Sequence, residues 1–416
     1  MKRILTLTLL GFILTGCSHN FDEEAHEIFN EEPQFEKIHL FTQSKEHLFS
    51  PIESVSGVHL GAFLNFDANP VTDHILEFED MVGIQHSIYT YEMMLGEKPS
   101  TLWLLEMLSE GRIPNIIVTH GNLLDPFDKT RIRELAEELG QYHLPILLQL
   151  LPEPRYHHYN SGKYIEFIQY AREIFREYAP KVSFVFSISE EDILDSMAFY
   201  PGDDVIDWLG INLFLPIVEN GPFDDHYLKR LDAFYFSFSN KKPILVTIGV
   251  SHFTTTDHSY HLHDAGATLK SFYSTVLNTY PRVRAIVYND LNSVLRPTTR
   301  HRHDNFSITS NQGVLDYYKE AISDHRFVDI SNFSATDNTG TLFLRSPFSG
   351  VRMNNTILIP KHALVYDLAL NSEEIEQLLS DYEEDIDGHL FYAIDVIKNI
   401  GIFAQIENGT NSVVFG

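Results

Sequence analysis

Eight near-continuous apolar runs, separated by amphipathic segments, constrain this chain more than any other feature. The runs are GVHLGAFLNF, IQHSIYTY, IPNIIVTHG, LPILLQLLP, VSFVFSIS, IDWLGINLF, PILVTIG and VRAIVYND. A strand buried on both faces reads as a continuous apolar run, the mark of a parallel sheet covered by helices. The intervening segments carry helical patterns: DKTRIRELAEELGQY, SGKYIEFIQYAREIFREYA and AGATLKSFYSTVLNTY. In the second, Tyr164, Phe167, Ile168, Ala171, Ile174 and Phe175 recur at the spacing of one helix face. Eight strands with alternating helices over about 250 residues predict an α/β fold of the (β/α)8 TIM-barrel type. An open doubly wound sheet is the alternative, but the Gly-rich phosphate turn that many such sheets carry is absent.

The start of the chain predicts an address. MKR is followed by the apolar ILTLTLLGFIL and then by LTGC, ending at Cys17. That is the pattern of a removable signal segment with a bacterial lipobox, in which the cysteine is acylated and becomes the new N-terminus. Cys17 is the only cysteine, so no disulfide forms within the chain. Two or three acyl chains on one residue hold a protein to a membrane where one would not. The expected location is the extracytoplasmic face of a cell membrane. The formal net charge is −28, which argues against nucleic acid and against electrostatic adhesion to anionic lipid.

Residues 18–50 are rich in acids and poor in pattern, and predict a solvated tether with a short strand at its end. The barrel is expected over 51–329. From 330 to 416 the sequence turns strand-like and rich in turn residues, which predicts a separate small α+β domain. Within it, LNSEEIEQLLSDY reads as a helix opened by Asn371 or Ser372. HLFYAIDVIKNIGIFAQIENGTNSVVF reads as a strand entering a helix and then a hairpin turning at ENGTN.

The segment FYPGDDVIDWLGINLF, Phe199 to Phe214, resembles the run leading into the sixth strand of glycoside hydrolase family 26, the β-mannanase family. EGRIPNIIV, LPILLQLLPEPRYHHY and KKPILVTIGVS fit that family's third, fourth and seventh strands in order and spacing. The likeness covers roughly residues 55–325. The C-terminal part resembles the small stalk domain of copper amine oxidases, which carries no copper site. No metal or other cofactor is implied.

A retaining glycosidase needs two carboxylates about 5–5.5 Å apart. The family resemblance places the acid/base position at Glu153, but with Pro152 and Arg155 where the family carries histidine and asparagine. It places the nucleophile position at Thr247 or Ile248, neither of which forms a glycosyl ester. Whether the chain is an enzyme is thus left open. Glu190 and Glu191 after the fifth strand, Asp290 ending the eighth and Asp67 after the first are the other acids expected near the mouth. An inverting pair tolerates about 6.5–9.5 Å. Tyr156, His158 and Tyr159, following the fourth strand, and Trp208, in the sixth, are candidate sugar contacts, with Glu190 and Asp290. His258, His261, His263, His301 and His303 fall in loosely spaced loops and read as surface histidines rather than as metal ligands.

Three readings follow. The barrel is catalytically degenerate and binds or helps process an envelope or extracellular polysaccharide. Or it hydrolyses a β-glycan with Glu153 and a relocated carboxylate. Or it is a purely structural envelope protein whose barrel binds no sugar, an envelope protein partner belonging with the first reading.

Overall fold

The fold is that of a computed structural model describing residues 36–415, apart from 65–74, 122–124, 217–225, 257, 296–302, 329–338, 354, 387–388 and 408–410. Cys17, Asp67 and His301 lie outside the described residues. Two compact units are present: 46–340, and a second built from residues up to 45 together with 341–416.

The larger unit is a closed (β/α)8 barrel. Its strands are β1 (Val58–Leu64), β2 (Ile88–Met94), β3 (Ile113–Thr119), β4 (Ile146–Leu150), β5 (Val182–Ser189), β6 (Trp208–Leu215), β7 (Ile244–Val250) and β8 (Val283–Asp290). Each lies inside, or within a few residues of, one of the eight apolar runs. All neighbours pair in parallel, and β8 closes on β1 from Ala285↔His59 to Asp290↔Leu64. Around them run α1 (Ile75–Val82), α2 (Thr101–Glu110), α3 (Lys129–Gly140), α4 (Ser161–Tyr178), the single-turn α5 (Ile193–Ser196), α6 (His226–Phe238), α7 (Leu262–Thr279) and α8 (Gln312–Ala321). Helices α3 and α4 start where the sequence supplies caps. Asp128 accepts from the N–H groups of Thr130 and Arg131, and Asn160 from that of Lys163. The six apolar residues expected on one face of α4 are all buried. Each fully buried large side chain of that kind stabilises by roughly 1.5–3 kcal/mol.

Side chains alternate between lumen and helix layer along each strand. The lowest lumen layer is apolar and includes Ile88, Ile113, Leu147, Val185, Trp208, Leu245 and Ala285. The next is mostly polar. Asn115 Nδ2 donates to Thr90 Oγ1 at 2.8 Å, and Gln149 Nε2 donates to Asn115 Oδ1 at 3.1 Å. The barrel foot is plugged by the segment preceding β1. Ile52 joins the lowest layer, and Trp208 Nε1 donates to Pro51 O at 2.8 Å. Glu53 accepts from the Arg282 guanidinium, with Arg284 Nε 3.7 Å away. All three charged groups are buried. A paired buried charge is tolerated, whereas loss of one partner costs about 3–5 kcal/mol.

The smaller unit is a seven-stranded sheet in the order Glu384–Ile386, His389–Ala393, Thr356–Pro360, Thr339–Met353, Glu36–Leu48, Ser412–Phe415, Ala404–Glu407. Helices Lys361–Asp367, Ser372–Leu379 and Ile394–Asn399 share its core, which includes Ile38, Leu40, Ile359, Leu364, Leu379, Tyr392 and Phe415. Asn371 Oδ1 accepts from Glu373 N–H at 2.9 Å, capping the second helix as the sequence indicates. Strands 404–407 and 412–415 form the expected hairpin. The strand expected at the end of the tether segment is present and longer than expected. Residues 36–48 form a 13-residue strand that pairs in parallel with Ser412–Phe415, from His39↔Ser412 to Thr42↔Phe415. Alternating Ile38 and Leu40 supply its buried face. Among the described residues no helix is long and apolar enough to cross a membrane.

His59 and His86 of the barrel unit are fully buried. His59 sits against Ser87 Oγ and the Ile52 carbonyl, and His86 donates or accepts at Tyr318 OH, 2.9 Å away. Burial pushes both down to about 4. An unfolded histidine near 6.5 binds a proton that the folded one refuses, so stability falls as pH drops from about 6.5 towards 4. The expected loss is about 3 kcal/mol per histidine at pH 4. Urea midpoints measured at pH 7, 5 and 4 should show it, and the slope should be shallower for His86→Gln than for the parent chain.

Candidate functional site

The C-terminal ends of the strands form the mouth, where barrels of this kind carry their sites. Past the end of β4 the chain hooks: Leu151 and Glu153 both take left-handed backbone, with φ of 49° and 51°. Such conformations cost about 1–3 kcal/mol in a non-glycine residue and persist where surrounding bonds hold them. Here the Glu153 N–H donates to Ser187 O on β5 at 2.8 Å. Its Oε1 accepts from Asn212 Nδ2 on β6 at 2.7 Å, a charge-assisted bond stronger than a neutral one. Asn212 is in register with Thr247 on β7. Glu153, Asn212 and Thr247 therefore run in a line across β4, β6 and β7 on the lumen side.

Thr247 is the lumen-facing residue at the position where the family resemblance puts a nucleophile. Ile248 faces the helices and is wholly buried in the main core. Among the described residues, the eight strands carry only two carboxylates, Glu92 and Asp290. Arg155, expected beside Glu153, directs its guanidinium to Asp195 at 3.2 Å in an exposed pair.

One wall of the mouth is aromatic. Tyr159 OH is hydrogen-bonded to His120 Nδ1 at the end of β3. His157 stacks on Tyr159 with centroids 5.6 Å apart. Tyr156 meets His157 edge-on at 5.3 Å, and His120 meets His157 at 6.0 Å. Burial raises the Tyr159 hydroxyl above its ordinary range, so it stays protonated and can donate. Tyr156, His157 and His158 are exposed, the last in a left-handed turn. The facing wall is apolar: Phe214 on β6 meets Phe306 edge-on at 5.7 Å. Gly249 leaves room for both rings, since a Cβ there would stand 3.2 Å from each.

Three expected sugar contacts are corrected. Trp208 opens β6, so it lies at the foot of the barrel, fully buried in the lowest lumen layer, and no sugar face reaches it. Asp290 is on the helix-facing side of β8 and fully buried. Thr309 Oγ1 donates to its Oδ2 at 2.6 Å and Thr309 N–H to its Oδ1 at 3.3 Å. Burial raises its pKa despite those bonds. It caps a turn. Glu190 likewise follows the lumen-facing Ser189 on the opposite side, and its carboxylate is 3.3 Å from Arg230 of α6. Glu191 is exposed.

Four mouth residues were not picked out from sequence: Glu92, His120, His157 and Asn212. The signal existed for Glu92, because Ile88, Thr90 and Glu92 alternate in IYTYEMM and the first two face the lumen. His120 and Asn212 sit at or near the ends of apolar runs, where a polar residue marks the mouth. The loop histidines scatter. His258 is exposed, His263 packs near Tyr317 at 6.5 Å, and His303 Nδ1 is 3.0 Å from Thr255 Oγ1. His261 lies between Ser259 and Asp264. Among the described residues no group of three or more histidine, cysteine or acidic side chains is placed to hold a metal ion.

No protein-family model matches the chain, and no curated protein resembles it in sequence. Solved structures resemble it in fold. A modular endo-β-1,4-mannanase from Cellulomonas fimi is similar with a TM-score of 0.50 and 12% identity, over 83% of this chain and 94% of that one. A glycoside hydrolase family 26 protein from Muricauda gives 0.49 and 11%, over 68% and 89%. A family 26 β-mannanase from Bacteroides ovatus gives 0.48 and 12%, over 68% and 93%. At such identities the likeness is one of fold, the (β/α)8 barrel.

The Tyr159–His120 bond ties β3 to the loop after β4. Replacing Tyr159 by Phe removes the donor and leaves the imidazole short of a partner. The expected cost is about 0.5–1.5 kcal/mol, read as a lower urea midpoint with an unchanged slope.

Proposed function

We propose that this is a lipid-anchored surface protein whose glycoside-hydrolase-like barrel binds a polysaccharide at its mouth without cleaving it. The observation that carries the reading is the line Glu153–Asn212–Thr247. The strand 4 carboxylate is present and held, and the strand 7 position offers a buried hydroxyl on the lumen side. A hydroxyl there neither forms a glycosyl ester nor offsets the charge of an oxocarbenium-like transition state. Binding does not need that group. Exposed Tyr156 and His157 offer ring faces, and Tyr159, Asn212 and Glu153 offer donors and acceptors for sugar hydroxyls. The fold-level neighbours include proteins described as β-mannanases, which makes β-linked glycans the first class to test. Anchoring through acylated Cys17, at the extracytoplasmic face of a cell membrane, supports a role at an envelope or extracellular polymer.

A second reading has one specific observation in its favour. Glu92 lies on the lumen side of β2, in register with Ile117 and, through it, Gln149 on β4. Two strand spacings, about 9–10 Å, separate β2 from β4, and Glu153 stands four residues beyond Gln149, so side-chain reach would have to bring the two carboxyls within the about 6.5–9.5 Å of an inverting pair. Hydrolysis with Glu153 as acid and Glu92 as base is the activity this would give.

Incubation with mannans, glucans and xylans, read by reducing-end release and by migration in glycan-containing gels, separates the readings. The expected outcome is no turnover and a retarded band, with retardation weakened by Tyr156→Ala. Turnover abolished by both Glu153→Ala and Glu92→Ala would replace the binding reading with the second. Neither turnover nor retardation with any glycan would leave the barrel a structural element. For the anchor, Cys17→Ser should release the protein from membranes or leave it unprocessed. Firm retention after signal cleavage would refute lipid attachment.

A further inference from the structure

The loop that leaves β7 aligns three side chains that the glycan reading does not use. Ser259 Oγ lies 2.7 Å from His261 Nε2. On the other edge of the same ring, Nδ1 lies 3.7 Å from Asp264 Oδ2. The local chain accounts for the alignment. Ser259 and Tyr260 form a short strand antiparallel to Phe253–Thr254, which also pairs with Asp304–Asn305. Residues two apart on an extended chain share a face, so Ser259 and His261 project together. The His261 N–H donates to His252 O at 2.9 Å, fixing the backbone at that point. Helix α7 begins at the next residue, and Asp264 in its first turn stands three residues beyond His261. The His261 and Asp264 side chains are 27% and 42% exposed, so a solute reaches them.

We propose that Ser259, His261 and Asp264 form a hydrolytic site for short-chain acyl esters. A serine hydroxyl is a weak nucleophile until a neighbouring base takes its proton, and a third group orients that base. His261 Nε2 removes the Ser259 proton as Oγ bonds to the ester carbonyl carbon, and the carbonyl electron pair moves to its oxygen. Collapse re-forms the carbonyl and breaks the bond to the alcohol, which leaves with the proton from His261. Water then attacks the acyl-serine in the same way, releasing the carboxylic acid and restoring Ser259. No oxidant, metal or other co-reactant enters. The first-turn N–H groups of α7 have no partners within the helix and favour negative charge nearby. Ser259 and His261 are catalytic residues. Asp264 is a positioning residue.

The test uses the full chain with p-nitrophenyl acetate, and acetate release from acetylated xylan as a second arm for esters carried on a glycan. Ser259→Ala and His261→Gln should each lower kcat/KM at least about 100-fold. Asp264→Asn should lower it about tenfold or more, with Asp264→Glu restoring part of the loss, which a merely bracing role would not produce. A fluorophosphonate should label Ser259 covalently, found by peptide mass mapping, and labelling does not depend on any variant folding. Release from either substrate with that dependence supports the site. The second arm tells whether glycan-borne esters are accepted. Equal turnover by the parent and Ser259→Ala, or no label at Ser259, would overturn it.

Discussion

Closure of β8 onto β1 is the constraint on which the rest of the barrel depends. Once eight parallel strands are joined edge to edge, side-chain direction becomes a matter of parity: alternate residues face the lumen, the others the helices. Parity puts Thr247 in the lumen and Ile248 in the core. It puts Glu92 inside and sends Asp290 and Glu190 outward, where Thr309 and Arg230 occupy them. The same rule sets a polar layer, Thr90–Asn115–Gln149, directly above an apolar one. Chemistry at the mouth is thus decided by counting in twos from the foot.

The foot is as specific as the mouth. Glu53 brings one negative charge to Arg282 and Arg284 inside the protein, while Ile52 and Trp208 fill the space between them and the polar layer. Ile52 takes a left-handed backbone, φ 70°, to make this turn. The Ile52 carbonyl also receives His59, so the plug is held by hydrogen bonds as well as by packing.

Strand number, strand order and helix faces were legible because burial on both sides leaves long apolar runs, and the α4 stripe identified its own core residues. The same two-sided burial hid the parity. In VSFVFSIS or VRAIVYND both faces are apolar, so nothing in the string says which way Glu190 or Asp290 turns. Trp208 was misplaced although chain direction makes the N-terminal end of IDWLGINLF the foot side; the family resemblance, not the strand direction, suggested it as a sugar contact. The hook at Glu153 depends on bonds to β5 and β6, and those partners lie 34 and 59 residues further along. A short strand was legible at the end of the tether, but its full length, 36–48, was not, and its partner at 412–415 is too far away in sequence for any local pattern to show.

That last pairing fixes an order of assembly. The smaller unit's sheet needs residues 36–48 and 412–415 side by side, with the whole barrel sequence between them. During synthesis the barrel strands are all available before the final strand emerges, and domains generally fold as units in the order they appear. The early strand therefore waits, with Ile38 and Leu40 uncovered, until the residues after the barrel that flank it in the sheet and share its core have been made. Closing so long a loop adds little to the equilibrium cost but slows the step. The acid-rich residues that precede this strand in the chain give the waiting segment the like-charge repulsion that keeps an unpaired apolar edge from joining another copy.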